Sequence, residues 1–253
     1  DKTKNEAQKL FNDGKALLNQ AIKEKWFDAK ATIGFFPANS SGDDIILHNK
    51  KLSLYNLRQQ IAKRGKKPNY CLSDFIAPID SGKKDWIGGF AVTAGFNVEK
   101  IGQDFADNND DYKSIMIKVL GDRIAEALAE KMHEKVRNEL WGYSKNECLN
   151  NEDLIKEKYV GIRPAPGYPS CPDHSEKLAL FDLLDIANNS KLKLTESYAV
   201  YPASSVSGWY FSHPDSRYFG ISRIDEEQLI DYADRKKIEK ELLIKIFPQI
   251  IDL

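Results

Sequence analysis

The chain has 253 residues, of which 42% are hydrophobic, so it can bury a substantial core and is expected to be globular rather than disordered. Its 37 Lys and Arg nearly balance its 38 Asp and Glu, and a formal net charge of -1 argues against nucleic acid or an anionic membrane as a partner. No run of 18 apolar residues occurs, and three widely spaced cysteines favour reduced thiols, so we expect a soluble cytoplasmic protein.

The first half of the chain alternates helix and strand signals. Apolar periodicity predicts a helix over residues 2 to 24, and the strands ATIGFFPA and DDIILH follow, joined as a hairpin by a polar turn. Residues 51–70 start as a strand and are predicted to become helical before a basic, Gly/Pro-containing end. In the next predicted strand, DWIGGFAVTAG, Gly88 and Gly89 indicate a bulge or the close approach of other backbone.

The second half contains one long helix and several short elements. An Ala-rich pattern predicts this long helix over about 109 to 141. Further on we expect a helix over about 174 to 189, strands within 192–222, and helices from about 224. The predicted helices and strands do not alternate as repeated βαβ units. The pattern therefore predicts an α+β fold: a mostly antiparallel twisted sheet flanked by helices, with one long central helix, in a single domain.

The stretch GIRPAPGYPSCPDHSEK, residues 161–177, is predicted to be a loop, because its four prolines and two glycines exclude helix and central strand. The prolines that follow Arg163 restrict and pre-organise the backbone of the loop, which favours a guanidinium that takes a carboxylate through two parallel hydrogen bonds. Gly167 allows a ligand to approach the backbone, and Tyr168 adds an aromatic face. Together these residues indicate a small-ligand clamp, whereas the alternative is that Arg163 is a solvated charge.

Cys171 and His174 in this loop allow two further interpretations, a metal site and a nucleophile pair. Cys171 and His174 have a spacing that suits two metal ligands, but zinc requires more protein ligands than this pair, and we expect no metal site. The same pair is also conceivable as a thiolate and its activating imidazole. Asp173 is predicted to cap a helix, with Glu176 as its capping-box partner.

Two further stretches carry ligand hypotheses. Asp122, Glu126 and Glu130 lie four residues apart on one face of the long helix, so either nearby Lys and Arg offset their repulsion or one carboxylate meets a cationic ligand group. Residues 196–221 contain too many aromatic side chains for an exposed loop. Most of them are predicted to be core, and a few could line a slot for a planar ligand.

Several of these stretches together resemble one known family. They are GIRPAPGYPSCPDHSEK and LTESYAVYPASSVSGWYFSHPDSRYFGI, with GFFPANSSGDDI, LRQQ, NYCLSDFIAP and DDYKSIMIKVLGDRIAEALAE earlier in the chain. They closely resemble the C-terminal activation domain of cobalamin-dependent methionine synthase. The resemblance runs from the first helix to the C-terminal helices, so we interpret residues 1–253 as this domain, a fragment of a larger chain.

The resemblance implies a function. The family's domain binds S-adenosylmethionine and supplies its methyl group to the cobalamin of a neighbouring domain when oxidation has left inactive cob(II)alamin. An electron from flavodoxin or a comparable flavoprotein accompanies the transfer. Because the sulfonium donor is already activated, the protein contributes mainly proximity and line of approach, and we expect no catalytic acid, base or nucleophile.

The resemblance also implies residue roles. Arg163 matches the arginine that grips the ligand's carboxylate, and Ala165 and Tyr168 match loop positions whose backbone and ring lie against the ligand. Glu126 matches a helix carboxylate near the site. Relatives carry an upstream arm with an Asp-Trp-Thr-Pro-like segment whose aspartate contacts the ligand's amino group, and this sequence lacks that arm.

The remaining matches concern a pair of aromatic residues and a histidine. Tyr218 and Phe219 match the aromatic pair in SRYF. Many relatives have a second Tyr at the latter position, so Phe219 lacks the hydroxyl group that makes a side-chain hydrogen bond possible there. His174 matches a motif position to which we assign no chemical role.

Two rival functions remain open on the sequence alone. A Cys/His-dependent enzyme would use Cys171 with His174. A flavoprotein-docking module without its own ligand would use a basic patch, for which KRGKK, residues 63–67, is the candidate, although a solvated turn is the simpler interpretation.

Overall fold

A five-stranded antiparallel sheet organises the chain, in the strand order β3-β2-β1-β4-β7. Its strands in this computed structural model are β1 (Lys30–Ser41), β2 (Asp44–Leu47), β3 (Leu52–Leu54), β4 (Asp85–Thr93) and β7 (Ser205–Tyr210). The short strands β5 (Lys193–Leu194) and β6 (Val200–Tyr201) form a separate antiparallel pair. The structure describes residues 2–63, 65 and 68–251.

Eight α-helices occur in these described residues, and the third is the longest. They are α1 (Lys2–Lys23), α2 (Asn97–Asp107), α3 (Asp111–Lys135), α4 (Asn151–Ile155), α5 (Lys177–Leu183), α6 (Ile186–Asn189), α7 (Glu226–Lys236) and α8 (Lys240–Ile246). A π-helical turn, Val136–Leu140, directly continues α3. Both long helices were predicted from the sequence, as was the α+β class. No helix in this part of the chain is long and apolar enough to span a membrane.

The predicted hairpin between β1 and β2 is confirmed. Ser41 pairs with Asp44 across a two-residue turn, and Gly42 adopts a φ of 59°, a left-handed conformation that suits glycine. β2 then pairs with β3 in the same antiparallel sense. The polar residues at the turn therefore set the register of this edge of the sheet.

Three predicted elements were wrong in their extent or type. Residues 55–63 are not helical, because tertiary contacts take up their backbone: the Arg58 amide donates to Gln228 Oε1, and Gln228 Nε2 donates back to the Arg58 carbonyl. The helix predicted over 174–189 is divided into a 3-10 turn, α5 and α6, with Asp185 at a φ of 47° between the helices. The predicted strands over 192–222 are limited to β5, β6 and β7.

The residues cluster in two compact units. The first comprises Asp1–Thr32, Ala91–Met132 and Ile186–Val206, and its core includes Leu17 and Ala21 of α1 packed with Met116 and Ile117 of α3. The second comprises Ile33–Phe90, His133–Asp185 and Ser207–Leu253. Its largest described cluster joins Leu57 to buried residues of the C-terminal helices, namely Leu229, Tyr232, Ala233, Leu243 and Phe247.

Glycines let side chains pack tightly on the sheet in the second unit. A Cβ on Gly88 would lie 2.9 Å from Tyr210 Cβ, and one on Gly89 would lie 2.9 Å from Leu180 Cδ1. The predicted approach of other backbone to these glycines is therefore wrong, because the atoms nearest to them belong to side chains. Phe90 stacks on Tyr210 with ring centroids 4.6 Å apart.

The Pro-rich loop is attached to β7 at a glycine. The Trp209 amide donates to the Pro164 carbonyl at 2.8 Å, and a Cβ on Gly208 would lie 2.6 Å from that carbonyl oxygen. Ile162 and Phe211 exchange two backbone hydrogen bonds of 3.0 Å. The loop therefore begins as a short antiparallel extension beside the end of β7.

We predict that Gly208→Ala destabilises the protein by about 1 to 3 kcal/mol, since the new methyl group must displace the Pro164 carbonyl. Gly14→Ala is the matched control, because a Cβ at this site in α1 meets nothing within 4 Å. The control should be neutral or stabilising by up to about 1 kcal/mol. Urea unfolding followed by circular dichroism measures both. Wild-type stability of Gly208→Ala would contradict the tight attachment of the loop.

Candidate functional site

Backbone pairing determines which way the side chains at the start of the loop point. Ile162 and Pro164 are both buried, and their backbone groups bond to Phe211 and Trp209 at the end of β7. Alternate residues of an extended segment point in opposite directions, so Arg163 points away from these two neighbours. Its side chain is only partly buried. The sequence thus presents a guanidinium from a segment that the sheet holds in place.

A hydrogen-bonded turn follows Arg163. The Tyr168 amide donates to the Ala165 carbonyl at 3.1 Å, the Cys171 amide donates to the Tyr168 carbonyl at 2.9 Å, and the Gly167 amide donates to the Cys171 carbonyl at 2.7 Å. Ala165 is buried within this turn, whereas the side chain of Tyr168 is largely exposed. The turn is therefore closed by its own backbone and presents the Tyr168 ring outward.

Gly167 is required by the packing of a histidine. It has a φ of 93°, and a Cβ there would overlap the imidazole ring of His174. His174 Nδ1 accepts a hydrogen bond of 2.8 Å from Lys177 Nζ. Burial and the Lys177 charge lower the pKa of His174 below its usual value. In the described structure, His174 thus supports the turn as a neutral ring against the glycine.

Arg163 is held by two tyrosines. Its backbone amide donates to Tyr218 Oη at 3.0 Å, and its Nη1 donates to Tyr159 Oη at 3.1 Å. The two hydroxyl oxygens are 3.3 Å apart. Nη1 is also 3.2 Å from Nδ1 of His133, in the last turn of α3. The structure therefore brings the predicted residues Arg163 and Tyr218 together and adds two residues that the sequence analysis missed.

No sequence signal identified Tyr159 or His133. Tyr159 lies in a polar stretch before the loop, and His133 is a single histidine within a helical pattern. A histidine in such a pattern carries no functional signal by itself. Their proximity to Arg163 arises from tertiary packing across 4 and 30 residues of sequence. A single sequence does not reveal a contact between residues 30 positions apart, such as that of His133 with Arg163.

Phe219 packs in an aromatic cluster. Its ring centroid is 6.0 Å from that of Tyr70 and 6.3 Å from that of Phe75. Tyr70 and Phe75 also line an open cavity of about 580 Å³, together with His213 and Arg217. The aromatic residues Trp209, Tyr210 and Phe211 are buried, as predicted for most of this stretch. Neighbouring Tyr218 and Phe219 thus have different surroundings, one polar and one apolar.

Glu126 belongs to the first unit. Its carboxylate accepts a hydrogen bond of 2.7 Å from Arg123 Nη1, one turn earlier on α3, and both side chains are more than half exposed. Asp122 accepts a hydrogen bond of 2.8 Å from Ser204 Oγ. Arg123 therefore offsets the charge of Glu126, a hydroxyl group solvates Asp122, and the ligand role of Glu126 stays a prediction.

The rival use of Cys171 as a nucleophile has little physical support. Burial raises the pKa of the Cys171 thiol well above its usual value, and Glu176 and Asp173 raise it further. A neutral buried thiol is a poor nucleophile.

The described residues also contain no group of three or more His, Cys, Asp and Glu side chains that could hold a metal ion. Of the basic run at 63–67, Arg64, Lys66 and Lys67 lie outside the described residues.

The end of the loop is held by a buried ionic cluster. Asp173 caps the 3-10 turn His174–Glu176 by accepting from the Ser175 amide, as predicted. Glu176 does not act as its capping-box partner. Instead its carboxylate accepts from Lys236 Nζ at 2.5 Å and from the Tyr55 amide at 3.3 Å. Lys236 Nζ also donates to Asp173 Oδ2 at 2.5 Å, so one cation on α7 bridges two buried acids.

The two acids of this cluster respond differently to burial. Burial raises the pKa of Glu176 to about 7, although Lys236 acts in the opposite direction. Burial also acts to raise the pKa of Asp173, but Lys236 and Ser175 outweigh it and hold that pKa below its usual value. The cluster therefore keeps one firm anion and one carboxyl that takes up a proton near neutral pH.

Comparison with known proteins decides the family. A family model described as "Vitamin B12 dependent methionine synthase, activation domain" matches residues 1–237. This chain belongs to that family. The activation domain is also similar to a solved structure titled "Crystal Structure of the MetH Reactivation Domain bound to AdoHcy", with 46% sequence identity and a TM-score of 0.93. The match covers 98% of this chain and 78% of that chain.

The pKa of Glu176 gives a prediction for the stability of the activation domain. A carboxyl whose pKa is higher in the folded state stabilises most below its unfolded pKa of 4.5, and that stabilisation is lost as pH rises through about 7. Glu176→Gln removes this dependence. As pH rises from 4.5 to 8, the free energy of unfolding of Glu176→Gln should therefore increase relative to that of wild type by on the order of 3 kcal/mol.

Urea unfolding at several pH values measures this difference. Glu226→Gln is the control, because it removes an exposed carboxylate that pairs with Lys240 on the surface. Its stability should follow the wild-type pH profile. Parallel profiles for Glu176→Gln and wild type would contradict the raised pKa of Glu176.

Proposed function

We propose that this activation domain binds S-adenosylmethionine and presents its methyl group to the cobalamin of a neighbouring domain of the same enzyme. Cobalamin, held by the neighbouring domain, would be the methyl acceptor, and flavodoxin or a comparable flavoprotein would supply one electron. The bond between the sulfonium sulfur and the methyl carbon would break, leaving S-adenosylhomocysteine. The observation that carries the proposal is the similarity at 46% identity, across 98% of this chain, to a reactivation domain bound to AdoHcy. AdoHcy is the product that such a methyl transfer leaves.

The geometry of Arg163 fits recognition of the ligand's carboxylate. The Arg163 amide is tied to Tyr218 and its Nη1 to Tyr159, so both the backbone path and the direction of the guanidinium are defined. A pre-positioned guanidinium can donate two parallel hydrogen bonds to a carboxylate with little further loss of side-chain entropy. We assign this role to Arg163.

The turn after Arg163 would provide the apolar part of the same site. Tyr168 exposes its ring from a turn closed by hydrogen bonds, and buried Ala165 lets the ligand approach the turn closely. An exposed, rigidly mounted aromatic ring suits packing against a planar or sulfonium-bearing ligand. Tyr218, Phe219 and Glu126 complete the set of residues that we propose to contribute to binding.

In this proposal the side chains of the domain bind and align the methyl donor and do not activate it. The methyl group on a sulfonium is already activated, so Arg163 and the turn need only hold the donor and align it. A buried neutral Cys171 and an imidazole packed on Gly167 agree with a site that uses no nucleophile or base of its own. The proposed partners are the cobalamin-binding domain and the flavoprotein reductant.

We predict that Arg163→Ala weakens S-adenosylmethionine binding by about 1.5 to 3 kcal/mol, the range for losing hydrogen bonds to a charged group. Arg163→Lys should recover part of this loss, because it keeps the charge but not the paired donors. Isothermal titration calorimetry gives the affinities. Arg217→Ala, which removes an exposed arginine beside Tyr70, is the control and should bind as wild type. Unchanged affinity in Arg163→Ala would refute the assignment.

We also predict that the isolated chain makes no methionine from homocysteine and a methylfolate. The proposed role is to supply a methyl group for reactivation, and nothing in the sequence resembles a folate, homocysteine or cobalamin site. A purified sample with measured metal content, incubated with both substrates, tests this expectation. Methionine formation above the buffer control would show that the chain has a synthase activity of its own.

A further inference from the structure

His133 is fully buried at the end of α3 and contacts the proposed ligand-binding arginine. Its Nδ1 is 3.2 Å from Arg163 Nη1, and its Nε2 is 3.3 Å from Tyr143 Oη. Each ring nitrogen therefore has one polar neighbour from the second unit. The role assigned to Arg163 does not yet explain why an imidazole lies at this position.

The chemistry of the neighbours fixes the protonation of His133. A guanidinium has N–H donors and no acceptor, so Nδ1 must carry the lone pair that accepts from Arg163. The ring proton then lies on Nε2, which donates to Tyr143 Oη. Burial lowers the pKa of His133 well below its usual value, and the charges of Arg137 and Arg163 lower it further. The ring is thus a neutral acceptor aimed at Arg163.

Aromatic packing prevents the ring from turning away. Tyr210 stacks on His133 with centroids 5.1 Å apart and an interplanar angle of 18°. Tyr159 meets the same ring edge-on at 5.1 Å and 76°. Tyr210 is itself completely buried. The direction of the Nδ1 lone pair is therefore determined by packing and not by the hydrogen bond alone.

The far side of the ring is fixed as well. Tyr143 Oη approaches Gly161 so closely that a Cβ there would be 2.7 Å from it, and Gly161 has a φ of 86°. The position of Tyr143 is therefore tied to the first residue of the Pro-rich loop. Tyr143, His133 and Arg163 form a chain of hydrogen-bonding groups that starts and ends at this loop.

Another arginine, Arg137, is fully buried and supports the same assembly. Arg137, in the π-helical turn, lies with its guanidinium carbon 4.6 Å from the Tyr159 ring centroid. Its Nε and Nη2 donate to the carboxylate of Glu147 at 2.6 to 3.0 Å. Arg137 thus holds Tyr159, which also accepts from Arg163 Nη1, and places a fixed positive charge near His133 that opposes protonation of its ring.

From this geometry we infer that His133 is a positioning residue for ligand recognition. Its Nδ1 lone pair, together with Tyr159 Oη, sets the direction of the Arg163 guanidinium before the ligand's carboxylate binds. The inference rests on the proposed function, because it assumes that Arg163 takes the carboxylate of S-adenosylmethionine. It adds that discrimination for this carboxylate depends on a buried acceptor that does not touch the ligand.

A matched pair of variants tests the role of the acceptor. His133→Leu and His133→Asn have side chains of similar size, and both lose the imidazole stacking, but only the Asn side chain offers an oxygen near the place of Nδ1. Calorimetry compares their binding of S-adenosylmethionine with that of decarboxylated S-adenosylmethionine, which lacks the carboxylate. A purely structural role of His133 would lower both affinities alike.

We expect His133→Leu to weaken binding of S-adenosylmethionine about tenfold or more while changing binding of the decarboxylated analogue little. His133→Asn should retain a larger share of the wild-type preference for the carboxylate. Full wild-type preference in His133→Leu would overturn the inference and leave the proposed function intact. Equal binding of the two ligands by the wild-type domain would overturn the carboxylate contact of Arg163 and the inference with it.

A measurement on the wild-type protein does not depend on the folding of any variant. Nitrogen-15 NMR of histidine-labelled domain should show His133 as the neutral Nε2–H tautomer at neutral pH, with Nδ1 unprotonated. A protonated ring, or a proton on Nδ1, would contradict an acceptor role toward Arg163.

Discussion

The backbone pairing between the start of the Pro-rich loop and the end of β7 is the constraint on which the candidate site depends. Ile162 and Phe211 exchange hydrogen bonds, and the Pro164 carbonyl accepts from Trp209. Proline has no amide donor, so few registers are available to this segment, and β7 fixes one of them. Because the loop is held as an extra strand, the Arg163 backbone has a defined position, from which its guanidinium reaches Tyr159 and His133.

Around this constraint, buried charge is neutralised in two separate places. Arg137 and Glu147 form a pair behind Tyr159, and Lys236 bridges Asp173 and Glu176 at the far end of the loop. Burying ions is costly unless each is paired and hydrogen-bonded, so such groups are weak contributors to stability. Their effect here is geometric: Lys236 ties the end of the loop to α7, and Arg137, held by Glu147, lies against Tyr159, which precedes the loop.

The sequence predicted the regular parts of the fold and the chemical character of the loop, because these depend on local patterns. The periodicity of α1 and α3, the turn before β2 and the Asp173 cap are all readable within a few residues. Residues 55–63 were misread because Gln228, far along the chain, satisfies their backbone. His133 was not predicted for the same reason, because its role depends on a contact with Arg163, 30 residues along the chain.

The π-helical turn after α3 makes chain length at this point as important as residue type. A π-helical turn holds one residue more than the α-helical turn it replaces. Loss of one residue from Val136–Leu140 would let this turn close into regular α-helix, in which each amide bonds four residues back instead of five. Side chains inside the turn, including the buried Arg137, would then shift relative to Tyr159 and Glu147. The extra residue is therefore part of what places Arg137 against Tyr159.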